Sequence, residues 1–247
     1  MAECYGNQVA SDGVSSTTVE STVVTSSGSS TDNGSDVSAN GDSSSQTVET
    51  FDNFKIGTLT NFLLQCFKDA ATYYHIDWKW LAALSFCESG WNPSAKNSYG
   101  YSYGGLCGFS QGTLNETIGK EIKNPNKLNA RHQAMAAAKN MSRYVADAKS
   151  RGFTVEDQYL YAGIAHNAGI GGALWAYKNA KPRNVVGMQN ALLMCDGGYG
   201  THAWKCKWDG FKNMRPTERL RQTKEKYEYP KKMKSAYLAI CKKYKDA

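Results

Sequence analysis

The 247 residues include 29 Lys and Arg against 22 Asp and Glu, for a net charge of +7, and the charge is divided unevenly. Residues 1–50 hold 20 Ser or Thr, seven acidic residues and no Lys or Arg, which excludes a packed core there; the other 197 residues carry a net +14 and suffice for one well-buried domain. No run approaches 18 apolar residues and no apolar stretch lies near the start, which excludes a visible transmembrane helix or secretory signal. The expected organisation is a disordered acidic tail or linker over 1–50 and one domain over 51–247.

Beyond the tail the chain reads as mainly α. A first helix is predicted over about 58–74, with Leu59, Phe62, Leu63, Cys66, Phe67 and Ala70 at helical spacing. A second runs from Asp77 to Ser89, where Leu81, Leu84 and Ser85 share a face with Glu88, and Gly90 and Pro93 supply the stop. A loop rich in Gly, Ser, Tyr and Asn follows over 97–105, with room for short strands. A strongly periodic helix over about 130–151 carries Met135, Ala138, Met141, Val145 and Ala148 along one stripe and ends at Gly152. Thr154-Val155-Glu156-Asp157 reads as a capping box opening the next helix, which should end at Asn167-Ala168-Gly169. A short helix from Ile170 to Asn179 precedes Pro182. The stretch 182–230 reads as irregular, and a final basic helix is predicted over about 231–244.

Glu88 is the residue whose placement asks for chemistry. It sits in the last helical turn, at the negative end of the helix dipole, on an apolar face. Both influences disfavour the charged form, so its pKa should rise. A carboxyl protonated near neutral pH can protonate the leaving oxygen of a glycosidic bond. A frayed surface glutamate is the plainer alternative. Two later segments argue against it: Gly105-Leu106-Cys107-Gly108-Phe109-Ser110-Gln111, and Ala165-His166-Asn167-Ala168-Gly169. Glycines there permit close backbone approach, and Gln111 offers both donor and acceptor to a sugar.

Taken in order, Glu88-Ser89, the Gly108-to-Gln111 segment and His166-Asn167-Ala168-Gly169 resemble the Glu-Ser, Gly-x-x-Gln and Tyr-Asn-Ala-Gly signatures of the lytic transglycosylase (SLT-type) family. Ile76-Asp77-Trp78-Lys79-Trp80-Leu81-Ala82-Ala83-Leu84 is most similar to the membrane-bound branch. The resemblance covers about 75–180. It implies a mainly α, lysozyme-like domain of the goose-type lysozyme and SLT class, with a small loop or short-strand region. It also implies cleavage of peptidoglycan glycan strands, with Glu88 as the one acid and base and a 1,6-anhydro product. Ser89, Gly108, Gln111, Tyr144, His166, Asn167 and Tyr237 are implied as substrate-binding. His166 stands where the family has tyrosine, Phe109-Ser110 where it has Leu-Met, and Gly112-Thr113-Leu114 where it has a proline-containing stretch.

Other readings stay open at this stage. A hydrolase on the same fold would use water as nucleophile, and a silent wall-binding or virion protein would keep the fold without the reaction. A cysteine nucleophile paired with His166 would leave Glu88 unexplained. Disulfides between Cys87 and Cys107, or Cys195 and Cys206, are conceivable in an oxidising compartment. Cys195, His202 and Cys206 match no zinc spacing, so neither a metal nor an organic cofactor is expected. Residues 205–245 carry 14 Lys or Arg against four acidic residues; anionic wall polymer suits this charge, and nucleic acid is the alternative partner. Trp91 and Tyr103 are candidates for stacking on glycan rings. The expected location is the bacterial envelope or periplasm, as a tethered lipoprotein whose signal has been removed, or else a phage virion. The acidic tail could meet an envelope or virion partner.

Overall fold

A helix that is apolar on every side must be surrounded by others, and the segment Trp80-Leu81-Ala82-Ala83-Leu84-Ser85 is buried at each position in turn. It forms the middle of α2 (Trp78–Ser89) in a computed structural model that describes residues 54–96, 103–195 and 216–245. The other helices among the described residues are α1 (Asn61–Tyr74), α3 (Gln111–Ile118), α4 (Ala130–Ser150), α5 (Val155–Asn179), α6 (Val185–Cys195) and α7 (Pro216–Lys243). α2 packs on α7, α1 and α4; α5 packs on α4, α6 and α7. The mainly α expectation holds.

Helix ends follow local chemistry. Thr60, Asp77, Ser110, Asn129 and Thr154 each cap an N-terminus, the side chain accepting a backbone N–H of the first turn. Gly90 ends α2 in the left-handed region at φ 60°, where glycine meets no steric penalty. The boundary expected at 167–169 appears as a kink within α5, at Gly169 (φ 74°, ψ 157°). The 21-residue α4 buries Ala134, Ala137, Ala138, Met141 and Ala148, whereas Met135 and Val145 lie at the edge of the core.

Three expectations need correction. α3 and α6 occupy stretches that the sequence reading leaves without helix, and α7 begins at Pro216 rather than near 231. Pro230 lies inside α7. Proline breaks the hydrogen-bond ladder of a helix, but here the flanking turns are held by burial of Tyr229, Met233, Ala236 and Ile240. The loop expected to carry short strands shows two isolated bridges, Lys96 with Gly104 and Gly104 with Phe109. Residues 97–102 lie outside the described part, as do the tail and the span containing His202 and Cys206.

The 103–110 segment is tied to the helices from two sides. Ser85 Oγ and Ser89 Oγ of α2 both donate to Leu106 O, at 3.0 and 2.8 Å. From α4, the fully buried Gln133 accepts from Cys107 N at 2.7 Å and donates to Gly104 O at 3.0 Å. Its amide also donates to Lys127 O. At Gly105 (φ 74°) a Cβ would lie 1.9 Å from Gln133 Nε2, so the contact requires glycine. Gln133→Leu should therefore be costly despite similar volume, because it orphans buried backbone groups at about 1–3 kcal/mol each. The expected result is a lower urea midpoint with unchanged slope.

Candidate active site

Glu88 lies in the last turn of α2 and is 2% exposed. A carboxyl at that depth needs a partner. Tyr229, reaching in from α7, donates its hydroxyl to Glu88 Oε1 at 2.5 Å. The two residues are 141 positions apart in sequence. Burial, then the charge of Glu88, raises the Tyr229 phenol well above its ordinary value, so it stays protonated and remains a donor. Two influences oppose each other on Glu88: burial disfavours its charge, and the phenolic hydrogen bond favours it. The approach of α7 depends on Gly163 of α5, where a Cβ would lie 2.6 Å from Met233 Sδ and 3.4 Å from Tyr229 Cε1.

His166 and Asn167 come from the last turn of α5 before the Gly169 kink. His166 Nε2 lies 3.2 Å from Cys107 O and 3.7 Å from Glu88 Oε1. Burial pushes the ring down to about 4, so it is neutral and the approach to Glu88 is not an ion pair. A nitrogen facing a carbonyl must carry the proton, which fixes the Nε2–H tautomer. Asn167 is buried, and its Nδ2 donates to Glu225 Oε1 of α7 at 3.2 Å. Neither Tyr229 nor Glu225 was anticipated from sequence; their four-residue spacing, ahead of the buried Met233, is the signal that could have found them.

The neutral ring leads to a pH prediction. An unfolded histidine titrates near 6.5, whereas this one titrates near 4 when folded, so the unfolded chain binds more protons between those values. Stability is thus lost as pH falls from about 6.5 towards about 4, and His166→Tyr should flatten that loss in urea titrations. The tyrosine variant should retain most activity, and the wild-type rate profile should show no limb near pH 6.5. His166→Ala should cost about 1–3 kcal/mol, since a buried partner is left unsatisfied.

The remaining expected site residues are spread over the surrounding elements. Ser89 donates to Leu106 O and accepts from Asn92 N at 3.1 Å, which makes it a brace beside Glu88. Gly108 is buried at φ 71° in the braced segment. Gln111 opens α3; its Nε2 donates to Asn115 Oδ1 and Pro125 O, and its Oε1 accepts from Lys127 N. It lines an open groove with Asn115, Glu116, Gly119, Lys120, Asn124 and Pro125. Tyr144 is half-buried on α4 at the edge of the core. Tyr237 stands elsewhere than expected: its ring stacks on Trp80 at 3.9 Å and its hydroxyl lies 3.4 Å from Asp77 Oδ2, at the far end of α2 from Glu88. Eleven residues separate Asp77 from Glu88, about 16 Å along a helix.

Trp91 is likewise core rather than a stacking surface. It is 6% exposed, and its Nε1 donates to Ala82 O at 2.8 Å. Cys66, Cys87, Cys107 and Cys241 carry free thiols, so Cys87 and Cys107 are not bridged. Burial pushes the Cys87 thiol up to about 12 and raises Cys107 as well. Such thiols are poor nucleophiles, which argues against either of these two as a nucleophile paired with His166. Among the described residues no cluster of His, Cys, Asp and Glu is placed to hold a metal ion, and no helix is long and apolar enough to cross a membrane.

Residues 65–184 match the family described as the transglycosylase SLT domain. The chain is also similar to proteins named membrane-bound lytic murein transglycosylase F. With that of Saccharophagus degradans it shares 36% identity over 104 residues, and with that of Hahella chejuensis 32% over 105 residues. Each alignment covers 42% of this chain and 19% of the relative, so the chain matches about one fifth of the length of these relatives.

Proposed function

The chain carries a transglycosylase SLT domain over residues 65–184, and from that premise we propose that it is a peptidoglycan lytic transglycosylase. It cleaves the MurNAc–GlcNAc β-1,4 bond and leaves 1,6-anhydroMurNAc ends. The observation that carries this reading is the buried Glu88, held at a helix end by the Tyr229 hydroxyl at 2.5 Å.

In this mechanism Glu88 gives its proton to the glycosidic oxygen, and that oxygen leaves as the 4-hydroxyl of GlcNAc. The resulting carboxylate takes the proton of the MurNAc 6-hydroxyl as O6 attacks C1. Bond and proton both balance, and neither water nor a cofactor enters. Tyr229 holds the carboxyl in place and stabilises its charge between the two steps, with the neutral His166 ring packed beside it. Ser89 and Gly108 keep the floor of the site in register, while Gln111, Tyr144 and Asn167 contact the glycan.

Residues 51–247 act as the catalytic domain and residues 1–50 as a tether. The enzyme works at the bacterial envelope, in keeping with the membrane-bound relatives, and the basic domain suits an anionic wall. Digestion of purified sacculi followed by mass spectrometry tests the reaction. Anhydro-ended muropeptides, lighter by one water than hydrolysis products, are expected; reducing ends alone would assign a muramidase instead.

A further inference from the structure

The face of α7 that brings Tyr229 to Glu88 carries a second carboxylate one turn earlier. Residues four apart on a helix lie side by side, with Cβ atoms about 5–6 Å from one another. Glu225 Oε1 accepts from Asn167 Nδ2 at 3.2 Å. Its Oε2 is buried, makes no hydrogen bond to the described residues and faces Arg221 Nη1 at 3.9 Å. Asn167 is 4% exposed, and its Oδ1 also has no hydrogen-bond partner among the described residues.

These facts fix the orientation of an amide. A carboxylate can only accept, whereas the two ends of an asparagine amide differ, one donating and one accepting. With Glu225 in front of it, Asn167 must turn its NH₂ group to the carboxylate. Half a turn about the side chain would set oxygen against oxygen in a buried place. Oδ1 is therefore presented on the side away from Glu225, as a buried acceptor that needs a donor. The ion pair with Arg221 does not account for the arrangement, because Arg221 faces Oε2 at 3.9 Å and leaves Oε1 to the Asn167 amide.

We propose that Glu225 is a positioning residue that locks the Asn167 amide, so that Oδ1 accepts a hydrogen bond from an N–H or O–H group of the bound sugar. The assignment rests on the glycan-cleaving reading of this site. It places a second carboxylate beside the reaction centre without giving it a share in proton transfer.

Glu225→Gln is the test, because it keeps the shape and replaces an obligate acceptor with a group that tolerates either amide orientation. On purified sacculi kcat/KM should fall about tenfold with an unchanged melting temperature, and the same substitution in an Asn167→Ala background should cause no further loss. An equal loss in both backgrounds, or none in the single variant, would overturn the proposal. A second readout needs no activity. In ¹⁵N–¹H spectra the Asn167 side-chain amide, identified by its disappearance in Asn167→Ala, should show one proton shifted downfield and slow to exchange. Glu225→Gln should abolish both features, and spectra identical to wild type would refute the lock. If the wild-type protein yields no glycan product while the amide signal responds as stated, the glycan reading fails and the lock stands.

Discussion

Glu88→Gln is expected to reduce clearing of peptidoglycan by about 10²-fold or more while leaving the fold intact. Glutamine matches glutamate in shape, and its Oε1 still accepts the Tyr229 hydroxyl, so the packing between α2 and α7 survives. What it lacks is a proton to give to the leaving oxygen and a carboxylate to take one back. Both halves of the proposed reaction fail together, which is why no change of pH should rescue the variant. Melting temperature should hold or rise, since a buried amide costs less to desolvate than a buried charge. Zymography and thermal melting check both parts, and near-wild-type clearing by the folded variant would sink the assignment of Glu88.

Tyr229→Phe is the second large effect. It removes one oxygen from a residue 5% exposed and leaves the ring to pack against Gly163 as before. In the proposed mechanism the loss falls on the carboxylate formed after the first proton transfer. Hydrogen bonds to charged groups contribute about 1.5–3 kcal/mol, so kcat should drop roughly 10- to 150-fold, and melting temperature should also fall because the buried carboxyl loses its donor. Tyr237→Phe supplies the contrast. Its hydroxyl belongs to the Asp77 end of α2 and its ring to the stack on Trp80, so the rate should be nearly unaffected. A larger rate loss in Tyr237→Phe than in Tyr229→Phe would reverse the assignment of these two tyrosines.

That pair also shows what could be read from the chain before its fold was known. The cap at Thr154 and the stop at Gly90 depend on a few neighbouring residues, and both were legible. Glu88, His166 and Asn167 were legible because ordered motifs mark them. Tyr229 was not, because which turn of α7 meets Glu88 depends on how far that helix slides along α2 and α5. Tyr229 and Tyr237 lie two turns apart, and the local pattern does not distinguish them. Pro230 misdirected the reading for the opposite reason: a strong local signal for a break was overruled by buried neighbours on both sides. Gln133 was missed because a polar residue on an apolar stripe looks like an interruption until the backbone groups it satisfies are brought to it.

The distance in sequence between Glu88 and Tyr229 has a consequence in time. Chains emerge from the ribosome from their first residue onward, and early segments begin to fold before late ones exist. Until α7 is made, Glu88 lacks its phenol, Asn167 lacks its carboxylate and α2 lacks a helix it packs against. The segment that the family signature spans, 65–184, is complete before Glu88 acquires these partners. A half-made chain therefore holds Glu88 in an unfinished setting, and the candidate site is complete only when α7 docks.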